Sequence, residues 1–557
     1  MAQGPHGEVR ADKVATRVGY DKITGELRNW GFESVLGHDS IDVKELFKLT
    51  LDADYEDDRG FSCQDARQWY LDYLRCLNGA IDRFFDASIP RWRDGVVEYS
   101  FSTPTTWRNQ AMVASIEELV RRAGFGGTAH KKVRMALTEA EAAAIEASKT
   151  QYRTGETFLI CDAGGGTTDV NLLRVKSIDQ RIELEPLDHV EGVPIGSTLI
   201  DFHMTGHIVQ RLQPIKARLN GDVYSIAEEM LIERFQYLKH SFPDPVVDQF
   251  KLKVKGLTSA DYFPEVGIEA GEMVVSRATL MQIFDQQLGE IFSLVDEQFE
   301  ALQASHPGVK VSYIILSGGL GSSPYLYKEI RRRYERNEGF RSRNTAGIRT
   351  MKVLEPQLAV VCGLVRERTQ RLGTQTNAGQ AVFETRRCRN SYGTIVRELY
   401  DETKHRGLAV VPDAHDGRLW AEHVIDWFIL RGQEIEAAKG VRRPYGATIT
   451  EAEGQQPRRA QIVMSSLPVE KLPVSSTDPG CKHVVTVEYK LTGNDMKLKN
   501  RQMWKIGKKY WRADFFFVVM LGPADLRFQI EGKQGILSSG HDSLKVEFAD
   551  AVIPSAR

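Results

Sequence analysis

The chain has 557 residues and carries 73 Lys and Arg against 75 Asp and Glu, a formal net charge of −2. This length predicts about two to four domains, and the near-neutral charge removes any electrostatic reason to expect nucleic acid or an anionic membrane as a partner. The longest apolar run, Phe515–Leu521, is too short to span a bilayer, and the six scattered cysteines form no C-x-x-C pair, which predicts a reducing, cytoplasmic location without disulfides or structural zinc.

Apolar periodicity predicts four helices in the first two thirds of the chain. They cover about 66–84, 138–148, 224–242 and 278–304, and the second opens with a T-x-x-E capping box that places Thr138 at its N-cap. Strand patterns lie between them at 96–102, 158–161, 170–175 and 312–316. Alternating strands and helices predict α/β architecture up to about residue 370.

The pattern changes after this region. Residues 371–384 are small and polar and predict a linker, and residues 385–557 carry strand patterns at 484–489, 515–521, 526–530 and 544–548. The C-terminal third is therefore predicted to be mainly β. Residues 450–482 are rich in Pro, Ser, Gln and Thr and predict a loop.

A glycine-rich stretch, FLICDAGGGTTDV at residues 158–170, lacks the features of the two common phosphate loops. It has no G-x-G-x-x-G entering a helix and no lysine after the glycines, and it predicts strand, tight turn, strand. The glycines allow positive φ and close approach of backbone N–H groups to an anion. Asp162 and Asp169 flank the turn and are suited to hold a hydrated Mg²⁺. An ordinary glycine-rich hairpin remains the alternative; the paired aspartates and threonines favour phosphate binding.

The segment DAGGGTTD resembles the second phosphate motif of the actin, sugar-kinase and heat-shock-chaperone superfamily. Four further segments resemble that superfamily in the expected order: the linking segment ALTEAEAAAI, the lobe II turn GVPIGSTLID, the adenosine motif YIILSGGLGSSPYL and the second linking helix EPQLAVVCGLV. WGFE, FKLTLD, STPTTW and RCRNSYG resemble the heat-shock protein 70 (DnaK-like) family, in particular its divergent twelfth-subfamily and fungal branch. The resemblance implies an actin-like ATPase fold of duplicated ribonuclease-H-like lobes, followed by a mainly β C-terminal region.

The resemblance also implies a set of functional residues and the cofactors ATP or ADP with Mg²⁺. Asp162, Asp169 and Glu139 would be catalytic, with Asp162 and Asp169 acting on the metal through water. The implied cofactor-binding residues are Gly164, Gly165, Gly166, Thr167, Thr168, Gly196, Ser197, Lys239, Gly318, Gly319 and Ser322. Two of these residues have ordinary alternatives, because Glu139 suits any helix N-terminus and Lys239 suits any solvated helix face. Gln357 stands where the chaperones usually have an aspartate.

The domain organisation implied by the resemblance has one gap. Residues 1–13 match nothing in the family, 14–160 match a partial lobe I, and 161–370 match the remaining nucleotide-binding lobes. Residues 14–33 resemble the segment that comes directly after the first phosphate hairpin in this branch, so the chain is expected to lack that hairpin. Neither the leucine-rich linker nor the helical lid of the chaperones is found in the C-terminal third.

These features are compatible with three functions. The first is a heat-shock-protein-70-like ATP-binding protein, a chaperone-type ATPase that takes unfolded or extended peptide as a partner. The second is a nucleotide-binding pseudo-ATPase scaffold, and the third is a small-molecule kinase of the same superfamily. Because phosphoryl transfer needs stabilising groups on several sides, the missing hairpin predicts negligible ATPase activity. The C-terminal region is expected either to hold peptide without a lid or to be a β domain with no peptide site.

Overall fold

The computed structural model describes residues 13–538 apart from 35–39, 53–54, 56–59, 108–109, 129, 149–151, 179–181, 244–247, 374–381, 414–416, 437–438, 450–455, 492–493, 500–509, 522–525 and 534. The chain divides into two compact units. The first unit comprises Met1–Arg108 and Ile116–Val382, and the second comprises Asn109–Ser115 and Phe383–Arg557.

The helices of the described residues lie almost entirely before residue 374. They are α1 Cys63–Ser88, α2 Gln110–Arg122, α3 Glu139–Ala147, α4 Ser197–Leu212, α5 Val223–Met230, α6 Gln236–Ser241, α7 Arg277–Ser305, α8 Gly318–Gly321, α9 Pro324–Ile330 and α10 Ala359–Gly373. All four helices predicted from apolar periodicity are present. The third is interrupted by a π-helical turn, Leu231–Phe235, between α5 and α6, and a second π-helical turn, Arg331–Glu335, comes after α9.

The strands of the first unit form several sheets, one of them large. The strands are β1 Arg17–Asp21, β2 Leu27–Trp30, β3 Ile41–Glu45, β4 Val97–Thr103, β5 Lys131–Thr138, β6 Thr157–Ala163, β7 Thr168–Ser177, β8 Glu183–Pro186, β9 Glu191–Val193, β10 Gln249–Lys253, β11 Ile268–Glu269, β12 Glu272–Ser276, β13 Val311–Ser317 and β14 Arg349–Lys352. The central sheet has the order β14-β13-β6-β7-β8, with β9 also on β7. Strands β6, β7 and β8 are antiparallel, whereas β13 and β14 run parallel to β6.

This strand order and direction are those of a ribonuclease-H-like lobe, three antiparallel strands and then two parallel ones. β6 is buried at every residue, as expected for a strand covered on both faces. The alternating residues Leu159, Cys161, Ile314 and Leu316 belong to a hydrophobic core shared with α4 and α7. The predicted α/β class is confirmed.

Strands β4 and β5 form a parallel pair that leads directly into α3. Thr138 is the N-cap of α3: its side chain accepts from Glu141 N–H, and the Glu141 side chain accepts from Thr138 N–H, which confirms the predicted capping box. The first glutamate of the helix is Glu139, so the end of β5 fixes the position of this carboxylate.

The second unit is built from β-strands, as the C-terminal patterns predict. They are β15 Thr385–Arg387, β16 Ser391–Leu399, β17 Val410–Pro412, β18 Leu419–Ile429, β19 Glu434–Glu436, β20 Val441–Ile449, β21 Arg458–Ser465, β22 Lys482–Tyr489, β23 Met496–Lys499, β24 Tyr510–Leu521, β25 Leu526–Gly532 and β26 Gly535–Ile536. Two five-stranded sheets, β17-β18-β16-β21-β22 and β20-β24-β25-β26 with β23 on β24, enclose a separate apolar core.

One C-terminal prediction is wrong and one lies outside the described residues. Strand β21 runs through the segment 450–482 that was expected to be a loop, and it pairs with both β16 and β22. The misleading signal was the Pro, Ser and Gln content around the strand, because the strand itself reads RRAQIVMS and has a buried Ile462–Val463 pair. The predicted strand at 544–548 lies outside the described residues.

Candidate functional site

The glycine stretch is a hairpin, as predicted. β6 and β7 pair in register up to Ala163 and Thr168, so that Asp162 and Asp169 are direct cross-strand partners at the mouth of the turn. The turn is closed by a hydrogen bond from Gly164 N–H to the Thr167 carbonyl oxygen, 2.8 Å long. Both aspartates are buried, with 6% of Asp162 and 1% of Asp169 exposed.

Two of the three glycines of this turn, Gly165 and Gly166, leave open space, and none of the three serves an unusual backbone conformation. Among the described residues, none of Gly164, Gly165 and Gly166 has a positive φ. A β-carbon at Gly165 would come no closer than 3.9 Å to another atom, and one at Gly166 would meet nothing within 4 Å. The protein itself therefore tolerates side chains at both positions, and the open space in front of the turn is available to a ligand.

The lobe II turn packs directly on this hairpin. A β-carbon at Gly196 would lie 2.3 Å from the Gly165 carbonyl oxygen, so only glycine fits there. Ser197 N–H donates to the Gly164 oxygen (3.1 Å) and Thr198 N–H donates to the Gly165 oxygen (2.9 Å). The first amides of α4 thus hold the hairpin in place. Ser197 therefore lies at the candidate site, but its N–H group is already bonded to the Gly164 oxygen of the hairpin turn.

The two hairpin threonines are also held. Thr168 Oγ1 donates to the Ile195 carbonyl oxygen at 2.7 Å, which ties β7 to the turn before α4. Thr167 Oγ1 donates to Asp169 Oδ2 at 3.4 Å. The Thr167 contact orients the Asp169 carboxylate relative to the turn.

The adenosine turn meets the hairpin from the other side. Ser317 at the end of β13 is the cross-strand partner of Asp162. Gly318 has φ +84°, and a β-carbon there would lie 2.3 Å from the Ala163 oxygen and 2.8 Å from Asp162 Oδ1. A β-carbon at Gly319, in contrast, would meet nothing within 4 Å. Ser322 Oγ donates to the Gly319 oxygen at 2.6 Å and so braces this turn.

Asp162 is the electrostatically unusual group of the site. Burial and the nearby Glu139 carboxylate raise its pKa to about 7. Its Oδ1 atom is buried and has no hydrogen-bond partner among the described residues. A buried carboxylate with an unpaired oxygen is costly unless a cation or donor arrives, and perturbed carboxylates of this kind concentrate at functional sites.

Lys48 is a member of the site that the sequence did not reveal. Its Nζ atom lies 3.0 Å from Glu139 Oε1, and although burial opposes the shift, Glu139 raises the pKa of Lys48 above its ordinary value. Asp169 and Tyr70 also act on this pKa, so Lys48 lies close to both. Lys48 and Glu139 are 91 residues apart; the only sequence signal was the position of Lys48 in the family-like segment FKLTLD.

Lys239 does not lie on a solvated helix face, which was one of its two predicted surroundings. It is only 7% exposed, and its Nζ atom lies 2.8 and 2.7 Å from the two carboxylate oxygens of Asp201 on α4. The expected solvated lysine is therefore a buried ion pair that joins α6 to α4. Gln236 also donates to Asp201 at 3.0 Å. Lys239 thus lies against α4, the helix whose first residues contact the hairpin, and its charge is paired with that of Asp201.

The described residues contain no cluster of three or more His, Cys, Asp or Glu side chains that could hold a metal by themselves. Asp162 and Asp169 are two carboxylates, which suits a metal that keeps most of its own water, as Mg²⁺ does. None of the helices in the described part of the chain combines the length and the hydropathy that a membrane crossing requires.

The first unit thus contains a ribonuclease-H-like sheet with a glycine hairpin between β6 and β7 and a glycine turn after β13. In comparisons with known proteins, residues 386–539 match a domain of unknown function, DUF8568. No curated protein matches the sequence.

Two solved structures of MreB5 from Spiroplasma citri resemble the chain. The ADP-bound form has 13% identity and a TM-score of 0.41 and covers 65% of this chain and 92% of its own. The form bound to AMPPNP has 15% identity and a TM-score of 0.40 and covers 65% of this chain and 90% of its own. At this level of similarity the two structures do not identify the function of this chain.

Proposed function

We propose that the first unit binds an adenine nucleotide together with Mg²⁺ at the hairpin between β6 and β7. The observation that carries the proposal is Asp162: a buried carboxylate of raised pKa, with an unpaired oxygen, facing Asp169 across the hairpin mouth. A hydrated Mg²⁺ satisfies both carboxylates at once and removes the cost of burying them.

The space around the carboxylates supports a phosphate ligand. Gly165 and Gly166 present open backbone at the turn, and Gly319 presents open backbone at the second turn, which touches the hairpin through Gly318. Phosphates would lie against the first turn and the nucleoside against the second, which the sequence resemblance to the heat-shock protein 70 family also implies. The bound metal would screen the charge between phosphates and carboxylates.

The pair Lys48–Glu139 supports an ATPase-type role for this site. Glu139 acts on the pKa of Asp162, so the two carboxylates are close, and Lys48 holds Glu139 in place at 3.0 Å. A carboxylate held beside a metal site is suited to orient an attacking water. We therefore propose that the site orients a nucleotide and a water as an ATPase site does; the expected turnover is negligible, and hydrolysis is measured separately from binding.

The test is calorimetry and thermal-shift measurement of the full chain with ADP, with Mg²⁺ or with EDTA. Saturable, Mg²⁺-dependent binding is expected, and Asp162→Asn should weaken it by about tenfold or more because the metal loses a charged ligand. Asp94→Asn, a substitution at an exposed aspartate, is the matched control and should bind as the unmodified chain does. No heat and no thermal shift at about millimolar ADP would contradict the proposal.

A further inference from the structure

The outer edge of the central sheet carries a cavity that the nucleotide site does not use. Its volume is about 420 Å³, within the usual range for small-molecule sites. It is formed where β14 meets α9 and the π-helical turn Arg331–Glu335. The side chains that matter are Tyr152, Tyr313, Tyr327, Arg331, Arg349 and Thr350.

Aromatic rings form one part of the lining. The Tyr152 and Tyr313 ring centroids lie 5.4 Å apart, and Tyr152 is itself stacked on the fully buried Phe158 at 5.3 Å. Such packing fixes ring positions before any ligand arrives, which lowers the entropy cost of stacking a further ring.

The charge of the lining is positive. Arg331 is paired with Glu335 through two contacts of 3.1 Å. Arg349 is exposed and forms no ion pair with a carboxylate within the described part of the chain. Lys352, further along the strand, has its Nζ atom 4.9 Å from the centroid of Tyr327. Arg349 is therefore the cation available to an anion from solution.

Thr350 adds a polar group whose hydrogen bonds are incomplete. It is 6% exposed, and its Oγ1 atom is buried without a partner among the described residues. Its backbone is satisfied, because Thr350 N–H donates to Glu335 Oε2 (3.3 Å) and the Tyr327 hydroxyl donates to the Thr350 oxygen (3.5 Å). An unpaired buried hydroxyl destabilises the protein, and a ligand that pairs with it recovers this cost.

We propose that this cavity binds a small planar aromatic anion, a ring that bears a carboxylate or a phosphate. The ring packs on the half-buried Tyr313, which the buried Tyr152 holds in place, the anionic group binds the Arg349 guanidinium, and the Thr350 hydroxyl donates to the ligand. An added peptide strand is disfavoured, because the outward backbone groups of Thr350 are already bound by Glu335 and Tyr327.

Met351, which also lines the cavity, provides a local probe. The full chain is labelled with ¹³C-methyl methionine, the Met351 signal is assigned with Met351→Leu, and phenyl phosphate and phenylacetate are titrated separately. Saturable shifts of this signal below about 10 mM are expected for at least one of them. Phosphate preference and carboxylate preference both support the site and distinguish the two ligand sources.

Variants and control ligands complete the test. Arg349→Gln should weaken binding about tenfold, Thr350→Val should weaken it several-fold, and Arg336→Gln, at an exposed arginine beyond the cavity, should change nothing. The neutral benzyl alcohol and inorganic phosphate should bind more weakly than the aromatic anions. The proposal is overturned if the Met351 signal does not saturate, if either control ligand binds as tightly, or if Arg349→Gln behaves as Arg336→Gln does.

Discussion

Gly363 on α10 lies directly against Ala142 on α3, so that a β-carbon at position 363 would fall 1.8 Å from the Ala142 carbonyl oxygen. Ala142, Ala143 and Ala144 are fully buried, and so is Ala359. The alanine-rich helix and the glycine together allow two backbones to approach far more closely than larger side chains would permit. Because α3 begins at Glu139, this crossing also holds one carboxylate of the candidate site in place.

Gly363→Ala should therefore destabilise the first unit. The added methyl group meets backbone atoms, which cannot move aside as a side chain would, and a loss of about 1–3 kcal/mol or more in the free energy of unfolding is expected. Gly289→Ala is the matched control, because Gly289 is in the middle of α7 and a β-carbon there would meet nothing within 4 Å. Alanine at this position should raise the free energy of unfolding by about 0.5–1 kcal/mol. Urea unfolding of both variants measures the difference; equal midpoints would contradict the close crossing.

Asp162→Asn should stabilise the protein while it weakens nucleotide binding. The pKa of Asp162 in the folded protein is about 7, above the ordinary value of 3.8. Ionisation of this group therefore costs folding stability progressively as the pH rises from about 4 to 7, by up to roughly 4 kcal/mol above pH 7. The variant lacks this cost.

The measurement is the free energy of unfolding without nucleotide, at pH values from about 4 to 8. The difference in the free energy of unfolding between Asp162→Asn and the unmodified chain should increase with rising pH and level off above pH 7. A gap that is constant with pH would mean that Asp162 is not a buried carboxylate of raised pKa. Stability lost to a functional group in this way is typical of binding sites.

Gly165→Val and Gly319→Val should weaken nucleotide binding without unfolding the protein. Both glycines have ordinary φ values. A β-carbon at either position would lie no closer than 3.9 Å to another atom, so a side chain would extend into the space proposed for the ligand. Gly308→Val, in a surface turn with the same freedom, is the control. Calorimetry with ADP and Mg²⁺ should show about tenfold weaker binding for the two site variants only; unchanged affinity in both would place the ligand elsewhere.

The periodicity of apolar residues predicted the helices well, because α1 and α7 pack one face on a core and expose the other. The π-helical turn Leu231–Phe235 could not be predicted, since it depends on how α5 and α6 pack rather than on local composition. Strand β21 was missed for a similar reason: its flanks have loop composition, and its pairing with β16 joins segments far apart in the sequence.

The two loops of the candidate site could be predicted as far as local motifs reach. DAGGGTTD and the turn at Gly318 mark the two loops, but the sequence does not show that Gly318 rather than Gly319 has the positive φ. The pairs Lys48–Glu139 and Asp201–Lys239 join residues 91 and 38 positions apart, so they depend on tertiary structure alone. Lys239 in particular is buried and paired with Asp201, which the sequence pattern around it does not show.

His189 should make stability depend on pH in the alkaline range. Its ring nitrogens lie 2.7 Å from Asp188 Oδ1 and 2.6 Å from Glu191 Oε1. Burial opposes the shift, yet the two carboxylates raise the pKa of His189 to about 9. The imidazolium therefore stabilises the fold fully below about pH 6.5, and this contribution of up to about 3 kcal/mol is lost as the pH rises through 9.

His189→Gln tests this, because glutamine keeps hydrogen-bonding capacity without the charge. The unmodified chain should lose stability relative to the variant between about pH 6.5 and 9.5 in urea unfolding. Parallel pH profiles for the two proteins would exclude His189 as the titrating group.

The second unit should not bind extended peptides strongly, because two of its edge strands are poor templates. β17 has only three residues and ends in Pro412, and β20 carries Pro444 with Arg442 and Arg443 exposed beside it. Proline removes a donor, and charged side chains on an edge disfavour the pairing of a further strand.

The test is fluorescence anisotropy of a labelled, unfolded peptide with the full chain, with and without ATP and Mg²⁺. Peptide recognition by strand addition depends on main-chain hydrogen bonds along an edge, so no saturable binding is expected below about 100 μM. ATP should change nothing, since coupling requires contacts that differ between two states. Tight peptide binding that falls sharply when ATP is added would contradict this prediction and would show that the second unit is a peptide-binding domain under nucleotide control.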